Sequence, residues 1–284
     1  MKGAHRMASI GRDQIADHIH ERLSSERETL TAAFNQPGRI RSCAVDDLLP
    51  EPMARAIYEA FPEESAMTYN RTLRERKYVA VQMNRYPPIL EEAIYAFQDR
   101  RVVADVENIT GLPGLEPDEH LYAGGLSAMA KGNFLNPHLD NSHDKNRDRY
   151  RVLNLLYYVT PDWRSEYGGN LELWDDGPEK EPRAFESRFN RLVLMVTDRQ
   201  SWHSVNEVVH DGRRCCVSNY YFSKQPADAE NYFHVTSFRG RPEQPLRDIA
   251  LRADGAARMG LRRLFKKGIR ENPHVYKKDD PGAG

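Results

Sequence analysis

The sequence predicts an α+β fold, a β-sandwich or barrel with flanking N-terminal, central and C-terminal helices. Three observations lead there. Apolar residues recur at helical spacing up to about residue 109 and again after 245. After Pro117 the texture changes to short apolar runs separated by Gly, Pro, Asn and Asp, the pattern of an all-β core. Neither end has strands or a linker of its own, so the helices belong to one domain spanning 1–284. Within it, 1–116 is a mainly helical support region with some strands, 117–224 the β core, and 225–284 a C-terminal helical extension.

Taken in order, residues 13–34 read as a helix, because Ile15, Ile19 and Leu23 form a stripe that Leu30 continues. Gln36, Pro37 and Gly38 end it. Residues 39–45 read as a strand, and 50–61 as a short helix opened by Pro50. A weak alternation over 78–83 suggests another strand. Residues 88–109 carry Ile89, Leu90, Ala93, Ile94, Phe97 and Val102 at helical spacing and read as one long helix beneath the sheet. Strands are expected at 121–130, 135–140, 151–160, 170–174, 191–197, 204–209 and 214–223. Gly168-Gly169 precedes no lysine and no helix start, so it reads as a tight turn rather than a phosphate loop. Residues 245–269 read as a helix interrupted at Gly255 and Gly260.

Composition excludes several classes. With 39% hydrophobic and 29% charged residues over 284 positions, the chain can bury a sizeable core and is not a disordered tail. No run approaches the ~18 apolar residues of a membrane span, and the first 12 residues hold no apolar leader segment. Cys215 and Cys216 are adjacent and would point to opposite faces of a strand, which argues against a disulfide framework and for a cytoplasmic setting. The net charge of −1 conceals an asymmetry: residues 238–278 hold 12 Lys and Arg against 4 Asp and Glu, the rest 29 against 38. That basic tail reads as a solvated helix face, and no nucleic-acid or membrane partner is expected.

The sharpest chemical feature is His138-Leu139-Asp140. Residues i and i+2 of a strand share a face, so an imidazole and a carboxylate are presented to one point. His203 lies 65 residues later among further strands. Two histidines and a carboxylate on one face of a metal form the facial set of non-haem iron(II), which leaves coordination positions open. Downstream, a turn at His210-Asp211-Gly212 leads to Arg213-Arg214 and an aromatic-rich strand ending Tyr220-Tyr221-Phe222. An arginine entering an apolar strand is costly to bury unless an anion pairs with it, and a guanidinium grips a carboxylate with two hydrogen bonds. Alternation puts only one of the pair inside, and Arg214 is expected there, with Ser218 and Tyr220 on its face. Asn154, Leu156 and Tyr158 share the wetter face of their strand. Arg151 and Asn154 sit near the expected mouth, where a polar substrate contact and a structural hydrogen bond are both open. Of the other histidines, His143 is wrongly spaced from Asp140 for a shared strand face but open as a ligand from a loop, His210 falls in the turn too far from the metal, His18, His20 and His120 read as solvated, and His234 and His274 lie past the core strands.

In this order Asn136-Pro137-His138-Leu139-Asp140-Asn141, Leu156-Tyr157-Tyr158-Val159-Thr160, Gly168-Gly169-Asn170-Leu171-Glu172-Leu173-Trp174, His203 and Arg214 resemble the iron(II)- and 2-oxoglutarate-dependent oxygenases, particularly the prolyl-hydroxylase-like group. The resemblance covers about a third of the chain, from Ser127 to Phe222. It implies a double-stranded β-helix (jelly-roll) core, with Fe(II) as cofactor, 2-oxoglutarate and O2 as co-substrates, and ascorbate as an optional reductant. It implies His138, Asp140 and His203 as catalytic metal ligands, and Arg214 and Tyr158 around the co-substrate, where strand parity adds Ser218 and Arg213 stands as the neighbouring candidate. Cys216 departs from the pattern, since many relatives carry a serine there that helps hold the carboxylate. The implied reaction is hydroxylation of an unactivated C–H bond of a small-molecule, amino-acid or peptidyl substrate, with succinate and CO2 as co-products. Asp140 argues against halogenation, for which related enzymes carry a small residue. The rival class is a non-catalytic, cupin-like jelly-roll that binds a metal or sugar, which has no use for a buried carboxylate clamp at Arg214.

Overall fold

The structure, a computed structural model, describes residues 10–228, 230–264 and 276. The chain opens with α1 (Arg12–Ser25) and α2 (Arg27–Phe34), then β1 (Ser42–Val45), α3 (Glu51–Glu59), β2 (Thr68–Arg71), β3 (Glu75–Ala80), α4 (Pro88–Ala96) and α5 (Arg100–Thr110). There follow β4 (Glu116–Pro117), β5 (Gly125–Ala130), β6 (Phe134–Leu139), β7 (Tyr150–Tyr158), β8 (Leu171–Leu173) and β9 (Arg183–Phe185). The last elements are β10 (Arg191–Val196), β11 (His203–Val205), β12 (Arg213–Ser223), β13 (Ser237–Phe238) and α6 (Pro245–Leu264). Among the described residues no helix is long and apolar enough to cross a membrane.

Two long helices of the sequence reading are each split. Within 13–34 the break falls at Glu26, where the Ser25 hydroxyl donates to the Arg22 carbonyl and competes with the helical ladder. Within 88–109 the carboxylate of Asp99 accepts from the Arg101 amide and starts a second helix, which Gly111 ends in the left-handed conformation. The strand expected at 78–83 is shifted to Glu75–Ala80, and the short strands β2, β4, β9 and β13 were not anticipated. The C-terminal helix runs through both glycines; residues 265–269 of its expected range lie outside the described residues.

The strands pair antiparallel in the order β1-β10-β7-β12-β5-β3-β6-β11-β8-β9. They fold into two facing leaves, the double-stranded β-helix that the resemblance implies. β3 joins the leaves, pairing with β5 through Tyr78–Ala80 and with β6 through Glu75 and Arg76. Alternation then divides the larger leaf. On β7 and β12, Leu153, Leu155, Tyr157, Cys215, Val217 and Tyr221 point outward, into one apolar cluster with Ile15, Ile19, Phe34, Ile94 and Phe97 of the helices. Tyr157 packs on Phe97 with ring centroids 5.8 Å apart, and the Tyr221 hydroxyl donates to the Phe97 carbonyl. The helical layer thus covers the outer face and leaves the inner face of the same strands free to carry polar groups.

The Gly168-Gly169 turn behaves as expected. Gly168 has φ +76°, and a Cβ there would lie 2.0 Å from the Glu207 carbonyl oxygen. Gly169 has φ +72°, and a Cβ there would press on Val208 Cγ2 at 3.1 Å.

Phe97 is buried where α4 meets the sheet. Phe97→Ala is expected to lower unfolding stability by about 3–5 kcal/mol, read as a shifted urea midpoint with an unchanged slope.

Candidate active site

The inner faces of β3, β5, β6, β7, β8, β11 and β12 enclose a cavity of about 230 Å³. β6 and β11 pair so that His138 stands directly opposite His203. Their ring centroids are 4.0 Å apart, and Phe238 of β13 stacks on the outer side of His138 at 5.0 Å. Each imidazole is oriented by a backbone carbonyl. His138 Nδ1 donates to Asn136 O at 3.0 Å, and His203 Nδ1 donates to Ser201 O at 2.9 Å. Because a carbonyl only accepts, both Nε2 atoms keep their lone pairs, the tautomer a metal requires.

Asp140, just past the end of β6, completes the group. Its Oδ1 lies 3.7 Å from His138 Nε2 and its Oδ2 3.6 Å from His203 Nε2, beyond hydrogen-bonding distance. The three donor atoms lie within 4.8 Å of one another. Two buried imidazoles and a half-buried carboxylate that converge without bonding each other fit a shared divalent cation. The electrostatics agree. Burial pushes His138 well below the usual imidazole range, and lowers His203 too, so both stay neutral. Burial alone would raise Asp140, but the Arg151 guanidinium, the neighbouring imidazoles and the Asn154 amide outweigh it and hold the carboxyl well below its usual range.

Arg151 and Asn154 therefore act on Asp140. Arg151 reaches Oδ2 at 3.0 Å and Asn154 Nδ2 donates to the same oxygen at 2.8 Å. The Arg151 guanidinium also stacks 3.7 Å over the Tyr220 ring and donates to Asn141 and to Asn154 Oδ1. Of the two roles open to them in the sequence, the structural one is found.

Arg214 enters the cavity from β12, and is 4% exposed. Its Nε donates to Ser187 Oγ at 3.3 Å, and its guanidinium lies 4.7 Å over the Tyr158 ring. Tyr158 sits behind Arg214. Its hydroxyl is buried beside Arg214 and Ser187, yet in well-formed hydrogen bond with neither. An orphaned phenol against a buried guanidinium is a pairing that an anionic ligand would complete. Ser218 lines the same cavity, 3.7 Å from Cys216 Sγ.

Arg213 corrects the expectation that placed it beside the co-substrate. It leaves the opposite face of β12, donates to the Pro62 carbonyl at 2.6 Å and lies 3.7 Å from Glu63. Strand alternation is the cause. His20, expected to be solvated, instead binds buried Asp105 at 2.5 Å, tying α1 to α5. His143 packs at a tilt against Tyr150 and His210 stacks on Tyr167, and neither joins the donor group; His274 lies outside the described residues. The sequence reading missed Lys77, whose ammonium faces the cavity. Its signal was the parity it shares with Val79 and Val81, which begins one residue before the strand that was expected.

The family model of the 2OG-Fe(II) oxygenase superfamily matches residues 124–222. Prolyl 3-hydroxylase OGFOD1 of Xenopus laevis is 34% identical over 84 residues, 28% of this chain but 16% of that protein. The Mus musculus protein of the same name is 27% identical over 96 residues, 32% of this chain and 17% of its own length. The chain thus matches under a fifth of those curated relatives. A Pseudomonas putida prolyl-4-hydroxylase superposes with a TM-score of 0.51 at 15% identity, over 69% of this chain and 99% of its own. A Phytophthora capsici prolyl 4-hydroxylase gives 0.53 at 18%, over 92% and 81%. A Trichoplax adhaerens prolyl hydroxylase, in complex with a hypoxia inducible factor peptide fragment, gives 0.51 at 18%, over 74% and 96%. At such identities these structures speak to the fold. The match to this family model over residues 124–222 implies Fe(II), 2-oxoglutarate and O2 as the cofactor set, and His138, Asp140 and His203 could hold the metal. Sequence match, fold and donor set coincide on one stretch: residues 124–222, which match the 2OG-Fe(II) oxygenase superfamily model, carry His138, Asp140 and His203.

Proposed function

We propose that this chain is a 2-oxoglutarate-dependent dioxygenase that hydroxylates an unactivated C–H bond of a small-molecule, amino-acid or peptidyl substrate. The observation that carries this reading is a single cavity joining the donors of His138, Asp140 and His203 to a buried arginine, Arg214. In the balanced reaction one oxygen atom of O2 enters the substrate C–H bond as hydroxyl. The other becomes part of the new carboxylate of succinate, and the carboxyl group of 2-oxoglutarate leaves as CO2. Bound iron supplies the redox chemistry of O2 activation.

This chain's residues supply position and charge. His138, Asp140 and His203 would occupy one face of the metal and leave the other to co-substrate and O2. Arg151 and Asn154 occupy one oxygen of Asp140 and hold the carboxylate in place. Arg214 would pair with the distal carboxylate of 2-oxoglutarate, with the Tyr158 hydroxyl as an additional donor and Ser218 alongside. The likeness to prolyl hydroxylases supports hydroxylation as the outcome. The peptide-bound relative places a peptidyl substrate beside the small-molecule and amino-acid options. Three buried, unpaired cysteines support a reducing, cytoplasmic setting. A cupin-like binding module is disfavoured because it has no need of a buried guanidinium in its cavity.

The test is direct. Anaerobic protein with Fe(II) and 2-oxoglutarate is expected to develop a weak visible charge-transfer band, and in air to release succinate. A flat spectrum without succinate would leave the binding module standing. Asp140→Asn is expected to weaken Mn(II) binding more than about 100-fold, above the ~10–100-fold typical of losing a supporting partner, as read by equilibrium dialysis. Arg214→Ala should retain the metal and weaken 2-oxoglutarate by roughly 30- to 150-fold, the ~2–3 kcal/mol of a buried charge-assisted bond. Arg213→Ala should change it by less than about 3-fold, as expected for a partly exposed rim charge.

A further inference from the structure

The oxygenase reading accounts for Arg214, Arg151 and the three metal donors, and leaves one cation of the cavity without a task. Lys77 lies on β3, the strand that joins the leaves, and its side chain lines the cavity together with Asn70, Val79 and Val81. The neighbouring register fixes its place on the wall. Tyr78 stands opposite Ala128, so Lys77 falls beside Met129, which in turn stands opposite Arg214. Lys77, Met129 and Arg214 therefore form one row across β3, β5 and β12, all facing inward. Two strand spacings separate the backbones of Lys77 and Arg214 along that row, about 10 Å. Across the cavity from the row stand His138 and His203 on the other leaf.

The charges of this wall are unequal. Asp140 is the one acid among the residues lining the cavity, and its outer oxygen is already taken by Arg151 and Asn154. Glu75, on the same face of β3 as Lys77, lies 3.0 Å from the ammonium and accepts from Asn70 at 3.2 Å. Burial opposes the charge on Lys77, but Glu75, with Tyr220 and Asp140 further off, outweighs it and keeps the ammonium protonated. An ammonium carries three N–H donors. Glu75 satisfies one direction, and the side chain, which lines the cavity, remains 25% exposed. A charge kept at such a place is stabilised by an anion that arrives with the ligand.

We propose that Lys77 is a specificity-determining residue that seats a carboxylate of the primary substrate, so that the substrate is a small carboxylic acid such as a free amino acid. This rests on the oxygenase reading and narrows its substrate. The division of labour is geometric. Arg214, backed by Tyr158 and Ser187, takes the co-substrate at one end of the row, and Lys77 takes the substrate acid at the other. The bond to be oxidised is then held between the row and the metal donors.

The experiment uses full-length protein loaded with Fe(II) and 2-oxoglutarate, and a panel of free L-amino acids, L-proline included, each paired with its carboxamide. Succinate release over the substrate-free background is the readout. At least one acid is expected to stimulate release several-fold more than its amide. Lys77→Met should raise the KM for that acid about tenfold or more, the loss of one charge-assisted bond, while Lys77→Arg restores most of the preference. The anaerobic visible band reports 2-oxoglutarate binding separately. No acid exceeding its amide, whether both stimulate or neither, overturns the proposal, as does a preference that survives Lys77→Met. A Lys77→Met protein that loses 2-oxoglutarate affinity as strongly as Arg214→Ala overturns it too, because Lys77 would then serve the co-substrate. Absence of the band in the unmodified protein instead sinks the oxygenase reading itself.

Discussion

The site depends on one cross-strand pair. β6 and β11 run antiparallel with His138 opposite His203, and every other feature of the centre is arranged around that contact. Side chains alternate along a strand, so a slip of one residue would turn either imidazole out of the cavity. The register is held from both sides, by β13 and β3 against β6 and by β8 against β11. It is also irregular. The partners shift between His203 and Val205, from His138 to Leu135, and such a bulge re-aims a side chain at the end of a short strand. Asp140 then enters the same space from two residues beyond His138.

Placing a carboxylate and two imidazoles in a buried cavity raises a charge problem, and the fold solves it locally. Arg151 compensates Asp140 from behind and is itself stacked on Tyr220, so its position does not depend on solvent. The imidazoles remain neutral because burial disfavours their charged forms. Arg214 is kept apart from this group, among Tyr158, Ser187 and Gly169. Cations on separate parts of one wall allow two anions to be held at once without competing for a single partner.

The helices make this polar interior possible. α1, α2, α4 and α5 supply the apolar layer on the outer face of the larger leaf, where Tyr157, Tyr221 and Leu155 are buried. The inner face of the same strands is thereby released from core packing. It can carry Asn154, Ser218 and Arg214, groups that a two-sided apolar sheet would exclude.

Much of the centre was legible in the sequence because covalent geometry encodes strand alternation. His138 and Asp140 share a face at spacing two, Arg214 and Arg213 must part, and Tyr158 follows Asn154 while Tyr157 does not. The helical support and the main strands followed from apolar spacing in the same way. Other features needed the folded chain. Asp99 splits a helix that periodicity alone makes continuous, since a cap acts through one hydrogen bond that leaves the apolar pattern untouched. Arg151 pairs with Asp140, and Lys77 joins the row of Arg214, because pairings between distant strands decide which faces meet. Those pairings draw their energy from the whole sheet and its helical cover. No window of sequence contains that energy, so the periodicity of each strand was determined locally and the identity of its neighbours was decided only in three dimensions.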